Sequence, residues 1–269
     1  FYLNDLLYLD ISKDKEPLLS GLLNINTSFL DLVTIGEDTI PNFSSSFPAK
    51  VIDANIEYED LVLDKLVVSS INQIVTWLNN EKYLNSDLPY KEKILKGYKA
   101  LFFGPPGTGK TVTAGVIGKM VNRKVFKVDL SKISSKWVGE TEKTLSKLFN
   151  KADKKEWILF FDEADAIFGK RSDVGSSNEM YANQTVSYLL QRIEDYTGMI
   201  ILATNFKGNI DSAFVRRFQS IIQFKKPDSR LQKKLWNKTF AKIPLDANID
   251  FNSYTKKYSF TGASIKNIF

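Results

Sequence analysis

The sequence predicts an α/β protein in which helices cover both faces of a five-stranded parallel sheet. Five short segments are apolar at nearly every position, which is typical of strands buried on both faces. They are Lys99–Phe103, Lys124–Val128, Trp157–Phe161, Met199–Ala203 and Ser220–Phe224. Segments with helical spacing of apolar residues precede the first strand and separate the first four, which predicts a three-layer αβα sandwich. They are Asp64–Glu81, Lys110–Val121, Thr141–Ala152 and Asn183–Glu194.

Residues 1–50 have a different pattern from the rest of the chain. Clustered leucines suggest short packed helices, and the polar stretch from Pro41 to Pro48 has the composition of a linker. The sequence starts at Phe1 and stops at Phe269 within a regular pattern. We therefore expect it to be a portion of a longer protein, with an N-terminal helical segment and linker over 1–50.

The composition excludes several kinds of site. The 269 residues include neither cysteine nor histidine, so disulfide scaffolds, zinc fingers and Ser–His–Asp triads are impossible. Any metal must be bound by oxygen ligands, and any general base must be Asp, Glu, Lys or Tyr. The net charge of +6 is not concentrated in long runs of one sign, which favours a solvated surface over a nucleic-acid interface. No apolar run is long enough for a membrane helix.

A glycine-rich loop between the first strand and the next helix predicts phosphate binding. Such a loop turns backbone N–H groups inward, and the helix N-terminus adds partial positive charge for phosphate oxygens. The lysine of the motif reaches the β- and γ-phosphates, and the hydroxyl after it binds Mg²⁺. The nucleotide-binding residues are Gly104, Pro105, Pro106, Gly107, Thr108, Gly109, Lys110, Thr111 and Val112.

Two acidic residues follow the third strand of the predicted sheet. Asp162 is placed at the carboxyl end of a buried strand, which faces the ligand crevice of open α/β sheets. It is expected to hold Mg²⁺ together with Thr111, and Glu163 to activate the attacking water. Asp165 is expected to support the loop.

The order of these motifs resembles the AAA+ ATPases, and the protein-remodelling branch in particular, over residues 55–269. The resemblance implies that Asn205, after the fourth strand, senses the γ-phosphate. It also implies that Arg216 and Arg217 reach the nucleotide of a neighbouring subunit, neutralising charge that builds on the phosphoryl group. A site completed by a neighbour implies a homo-oligomeric ring, expected to be a hexamer.

The same resemblance implies a route for a protein substrate and a helical lid. Lys136, Trp137 and Val138 match the first pore loop, where an aromatic side chain grips an extended polypeptide. Residues 51–225 would form the large αβα ATPase domain, and 226–269 the incomplete beginning of the lid. Further nucleotide contacts are expected from two places. Asp60 and Leu61 lie in a segment expected to pass near the base, and Gly262 and Ala263 lie at the expected start of a lid helix.

The resulting prediction is a Mg²⁺-dependent ATPase that remodels, threads or disassembles a protein partner in the cytoplasm, without nucleic-acid or membrane partners. Segments Phe160–Arg171, Tyr188–Glu194 and Arg216–Gln219 also resemble bacterial AAA ATPases, some of which accompany contractile injection systems.

Three alternatives remain open from the sequence. Asp162 to Asp165 spells the DEAD motif of RNA helicases, although too few residues follow for a second RecA-like domain. A DNA-directed AAA+ loader is disfavoured by Trp137 and by the lack of an arginine just beyond Ala263. The third alternative is a scaffold that binds ATP only to assemble.

Overall fold

The chain divides into two units, residues 1–42 and residues 43–269. The structure is a computed structural model. It describes residues 7–9, 23–25, 30, 33–34, 41, 43–44, 47–84, 97–129, 140–165, 177–205, 208, 215–241, 243–244 and 251–268. The division comes earlier than the boundary predicted at residue 50, because residues just before that point already belong to the large sheet.

The first unit contains a short antiparallel strand pair. Strands β1 (Leu7–Leu9) and β2 (Leu23–Ile25) place Leu7 opposite Ile25 and Leu9 opposite Leu23. The expectation of short helices is therefore wrong for these two segments. In each strand, apolar residues lie on both sides of a central tyrosine or asparagine, which is the alternation of a strand. Three residues are too few to show a helical period.

The second unit is built on one six-stranded sheet. Its strands are β3 (Ala49–Val51), β4 (Tyr98–Phe103), β5 (Val125–Val128), β6 (Ile158–Phe161), β7 (Met199–Thr204) and β8 (Ser220–Gln223). They lie in the order β3-β5-β6-β7-β4-β8. The five predicted strands are all present and mutually parallel, which confirms the α/β class.

The sixth strand, β3, was not predicted. It pairs antiparallel with β5 at the sheet edge, with Lys50 opposite Lys127. Its three residues follow the proline-marked stretch and carry no recognisable strand pattern, so its pairing depends on the edge that β5 offers.

Helices cover both faces of this sheet, as predicted. Helices α1 (Lys65–Leu84) and α2 (Lys110–Met120) pack on one face, in a cluster that includes Ile71, Ile117 and Phe160. Helices α3 (Glu140–Lys154) and α4 (Ser177–Asp195) pack on the other. That cluster includes Leu145 and Ile193. Parallel strands between two apolar layers bring all their carboxyl ends to one edge, which positions the loops that follow them.

Three further helices follow the sheet, where the start of a lid is expected. They are α5 (Ser229–Thr239), α6 (Phe251–Lys257) and α7 (Gly262–Ile268). Asp228 caps α5 by accepting a hydrogen bond from the backbone N–H of Leu231 over 2.7 Å. Trp236 is 6% exposed and contacts the rings of Phe240, Phe251 and Phe260, which ties α5 and α6 to the segment just before α7.

None of the helices that the structure describes combines the length and apolar character needed to cross a membrane.

Candidate nucleotide site

The phosphate loop lies between β4 and α2, and its glycines are required by close contacts. Gly104 has φ 145° and Gly107 has φ 74°, which side chains rarely adopt. A Cβ atom at Gly104 would overlap the carbonyl oxygen of Phe224, and one at Gly107 would lie 2.7 Å from Oγ1 of Thr261. The loop therefore passes directly against the end of β8 and the residue before α7.

The remaining loop contacts keep the start of α2 directed at the crevice. The backbone N–H of Gly104 donates to the carbonyl of Thr204 over 3.2 Å. Thr108 Oγ1 donates to the Pro105 carbonyl over 2.8 Å. The first N–H groups of a helix have no partner within the helix, so this end of α2 can bind an anion.

The side chain of Lys110 folds back over the loop. Its Nζ donates to the carbonyls of Gly104 at 2.6 Å and Pro105 at 3.1 Å, and to Oδ1 of Asn205 at 3.2 Å. Lys110 is 7% exposed, and burial lowers the pKa of its ammonium, which Asp162 and Asp165 partly offset. Neutral oxygens thus hold the ammonium, and phosphate oxygens would bind it more strongly.

The acidic turn after β6 lies at the same sheet edge. Asp162 Oδ1 accepts from the backbone N–H of Glu163 at 3.1 Å, and Asp162 Oδ2 accepts from Lys127 Nζ at 2.6 Å. Asp165 accepts from Thr204 Oγ1 at 2.9 Å, so it fastens the turn to β7, in the supporting place expected of it.

Glu163 has an exposed side chain and an unusual backbone. Its φ of 52° lies in the left-handed region, which is uncommon for a residue other than glycine. The next residue, Ala164, donates its N–H to the carbonyl of Ala203 at 2.9 Å and so holds this conformation. Such backbone strain is concentrated at functional sites.

The residues that could hold magnesium are oxygen donors. Thr111 is the second residue of α2, directly after Lys110, whose ammonium is close enough to Asp162 to interact electrostatically with it. Among the residues with described side chains, no group of three or more carboxylates could bind a metal on its own. A hydroxyl, one carboxylate and water suit magnesium when nucleotide phosphates supply the other oxygens.

Arg216 and Arg217 lie away from these residues. Gln219 fixes their segment to the amino end of β4: its N–H donates to the Lys99 carbonyl at 3.0 Å, and its Oε1 accepts from Lys99 N–H at 2.8 Å. The phosphate loop follows the opposite end of that strand. Both arginines are exposed, and Arg217 forms an ion pair with Glu194 at the end of α4.

The residues expected to contact the nucleotide near its base lie close to the phosphate loop and to helices α5 and α7. Ala263, beside Gly262 at the start of α7, donates its N–H to the Gly107 carbonyl at 3.2 Å. Asp60 accepts from Lys238 Nζ at 3.1 Å, which joins the 3₁₀ helix Tyr58–Asp60, just before Leu61, to α5. Val112 is 44% exposed at the first turn of α2.

Some residues at the site were not predicted from the sequence, and some predicted residues lie outside the part of the chain that the structure describes. Sequence reasoning did not find Lys127, Glu194, Gln219 or Lys238, whose partners are distant in the chain. Only Lys127 carried a signal, as a lone charge in an otherwise apolar strand. The predicted pore-loop residues, Lys136, Trp137 and Val138, lie outside the described residues.

Comparison with known proteins identifies the family. Residues 100–226 match the family described as "ATPase family associated with various cellular activities (AAA)". This range runs from within β4 to just past β8 and includes the phosphate loop, the acidic turn, Asn205 and both arginines.

Archaeal relatives match beyond that range. A proteasome-activating nucleotidase of Sulfurisphaera tokodaii is 30% identical over 270 residues, which cover 97% of this chain and 66% of the relative. A cell division protein C of Sulfolobus acidocaldarius is 29% identical over 231 residues, covering 80% of this chain and 62% of the relative. A proteasome-activating nucleotidase of Saccharolobus islandicus is 35% identical over 176 residues, covering 62% and 45%.

The chain thus spans between 45% and 66% of the length of these curated relatives. Its sheet order, its phosphate loop and these similarities agree with one another, and residues 100–226 belong to the AAA ATPase family.

Proposed function

We propose that this chain hydrolyses ATP at the carboxyl edge of its sheet and uses the energy to remodel a protein partner within a homo-oligomeric ring. The observation that carries the proposal is the convergence of Lys110 and Asn205, from two neighbouring strands, beside the acidic turn. Nucleotide binding alone would need the phosphate loop but not the amide or the glutamate at this edge.

The phosphate loop binds the triphosphate. The backbone from Gly104 to Gly109 and the first turn of α2 surround the β-phosphate, and Lys110 exchanges its carbonyl and amide partners for β- and γ-phosphate oxygens. Because Lys110 is already held at the loop, little side-chain freedom is lost when ATP binds.

The metal-binding and water-activating groups come from α2 and the acidic turn. Thr111 and Asp162 would hold magnesium, which would neutralise charge on the β- and γ-phosphates. Glu163, placed at the tip of the turn, accepts a proton from the attacking water. Asn205 orients that water or the γ-phosphate from the side of β7.

The position of the arginines supports action on a neighbouring subunit. The β4 strand has six residues and therefore separates its two ends by roughly 17 Å. Gln219 holds the arginine segment at the amino end, whereas the phosphate loop follows the carboxyl end. Arg216 and Arg217 would thus serve the site of the next subunit, and repetition of that interface closes a ring, which we propose to be a hexamer.

A protein is the partner that we propose for this ring. Two of the relatives are named proteasome-activating nucleotidases, and the third is named a cell division protein. Trp137, with Lys136 and Val138, would grip an extended polypeptide in the ring. Asp60, Leu61, Gly262 and Ala263 would enclose the nucleotide base, since their segments contact the loop or α5.

Two matched substitutions test the site. Lys110→Ala should lose ATP binding, because the buried ammonium is the main cation for the phosphates. Glu163→Gln should bind ATP as the unaltered protein does and yet fail to turn it over, because an amide cannot accept the proton. Fluorescent-nucleotide binding and phosphate release measure the two effects separately. Turnover retained by Glu163→Gln would remove Glu163 from the role of base.

A further inference from the structure

A short segment between strand β3 and helix α1 crosses the start of α2. It runs from Ile52 to Leu63, it contains the 3₁₀ helix Tyr58–Asp60, and we call it the base segment. Its first residue packs on α2, because a Cβ at Gly115 would lie 3.1 Å from Cγ2 of Ile52. Its last residue lies beside the phosphate loop, because a Cβ at Gly109 would lie 3.8 Å from Cδ2 of Leu63. The base segment therefore borders the proposed nucleotide site.

Side chains of α1 and α2 hold the middle of the base segment. Tyr58 Oη donates to Oδ1 of Asn72 in α1 over 2.9 Å. Lys119 of α2 forms an ion pair with Glu57, the residue just before the 3₁₀ helix. Because α1 and α2 pack on the same face of the sheet, these contacts fix the base segment to the layer that carries the phosphate loop.

A third contact reaches the base segment from α5, beyond the sheet. Lys238 Nζ donates to Oδ1 of Asp60 over 3.1 Å and also to the carbonyl of Glu59. The ammonium thus grips both a side chain and the backbone of the 3₁₀ helix. Gln232 of the same helix bonds elsewhere, since its Oε1 accepts from the N–H of Phe260 over 3.3 Å. Lys238 is therefore the side chain through which α5 holds the base segment.

The two segments that Lys238 joins carry opposite charges. Residues 53–64 include five carboxylates and neither lysine nor arginine. Residues 225–239 include six cations and one carboxylate, that of Asp228, which caps α5. The side chains of Lys238 and Asp60 are 43% and 59% exposed, so their pair alone is weakly stabilising. The surrounding charges act in the same direction and favour contact of α5 with the base segment.

We propose that Lys238 is a positioning residue for the adenosine half of ATP. This inference rests on the proposed function, in which Asp60, Leu61 and Ala263 enclose the base. The N–H of Ala263 in α7 donates to the carbonyl of Gly107, so α7 is fixed to the phosphate loop while α5 is fixed to the base segment. The space left for adenosine then has a set width before the nucleotide binds, which lowers the entropy lost on binding. Lys238 acts through the base segment and not on the phosphates.

The test separates the adenosine half of a nucleotide from its phosphates. Isothermal titration calorimetry with Mg²⁺ present gives the dissociation constants of ADP and of inorganic pyrophosphate, neither of which the proposed reaction consumes. Their ratio measures what adenosine adds to affinity. The proteins are the unaltered chain, Lys238→Met, Lys238→Arg and the matched control Lys233→Met. Lys233 is an exposed lysine five residues earlier in the same helix, so it lies on a different side of α5.

Lys238→Met should weaken ADP binding about fivefold, as expected for loss of an exposed ion pair together with one hydrogen bond to a carbonyl. Its pyrophosphate affinity should equal that of Lys233→Met, which loses the same charge. Lys238→Arg keeps the charge and the donors and should restore ADP binding. Lys238→Gln repeats the measurement if the methionine variant does not fold.

Two results would overturn the inference. One is a Lys238→Met or Lys238→Gln variant that folds and binds ADP as tightly as Lys233→Met does. The other is an equal loss of affinity for ADP and pyrophosphate, which a general loss of positive charge would produce. Failure of the proposed function has a different result: Lys110→Ala would then bind ADP as the unaltered chain does, and the nucleotide would not be held by the phosphate loop.

Discussion

Lys110 donates a hydrogen bond from its ammonium to Oδ1 of Asn205 over 3.2 Å, and this bond joins the phosphate loop to the end of the neighbouring strand β7. The two residues are far apart in the chain, yet the parallel pairing of β4 with β7 brings both strand ends to one edge. The γ-phosphate of ATP would therefore meet a cation and an amide that are already held together.

Substitutions at Asn205 should separate binding from turnover. Asn205→Ala should slow turnover about 100- to 1,000-fold, since one oriented polar group is lost, with ATP affinity changed by only a few-fold. Asn205→Asp should instead weaken ATP binding, because a carboxylate beside Lys110 would pair with the ammonium and repel the phosphates. Fluorescent-nucleotide titration and phosphate release distinguish the two variants. Equal effects of both variants on affinity would contradict this role.

The contact between the phosphate loop and the last helix predicts an effect at Gly107. Gly107→Ala should lower the free energy of unfolding by about 1–3 kcal/mol, because alanine is strained at positive φ. It should also weaken ATP binding, since the new methyl group would lie within 2.9 Å of Ala263 Cβ. Gly208→Ala is the control, because no atom of the described residues lies within 4 Å of a Cβ there. Chemical denaturation measures the loss of stability, and nucleotide titration measures the loss of ATP affinity. Equal stability of Gly107→Ala and Gly208→Ala would contradict this prediction.

Much of the fold and of the nucleotide site could be predicted from the sequence, because those parts have local signals. The parts that could not be predicted depend on distant segments of the chain. The strands and the phosphate loop have local signals, namely apolar runs and a glycine pattern that only certain backbone angles accommodate. The β3 strand has three residues, and its pairing depends on a distant edge. The partner of Lys127 is set by the register of β5 on β6, and no local pattern encodes a register between strands joined by a helix.

The arginines illustrate the same limit. The resemblance to AAA+ ATPases implied a catalytic role for Arg216 and Arg217, but their distance from the chain's own phosphate loop follows only from the sheet topology. Gln219 sets that distance through its bonds to Lys99, at the amino end of β4.

Shared sites predict complementation between two inactive chains. Arg217→Ala keeps its phosphate loop, and Lys110→Ala keeps its arginines, so a mixture should regain turnover that neither chain has alone. The unaltered protein should show turnover per chain that rises steeply with protein concentration, because the site forms only on assembly. Phosphate release across a dilution series measures both effects. Turnover per chain that does not depend on concentration would show that each chain acts alone, and the arginine assignment would then be wrong.

Buried Lys99 predicts a dependence of stability on pH. Burial lowers the pKa of its ammonium to about 8, although Asp195 and Asp153 act in the opposite direction. Its Nζ donates to the Tyr196 carbonyl at 3.2 Å. The unfolded chain, with a lysine pKa of 10.5, binds more protons than the folded chain between pH 8 and 10.5, so the contribution of Lys99 to stability should rise with pH in that window.

The rise should be at most about 1.4 kcal/mol per pH unit, and it should level off below pH 8, where both states are protonated. Lys99→Met should remove this slope, since a methionine of similar length has no proton to bind. The control is Lys124→Met, which alters an exposed lysine and should keep the slope. Urea denaturation of the three proteins between pH 7 and 10.5 gives the comparison. Parallel curves for the unaltered chain and Lys99→Met would mean that Lys99 stays protonated in the folded state, with the Tyr196 carbonyl and the two aspartates outweighing its burial.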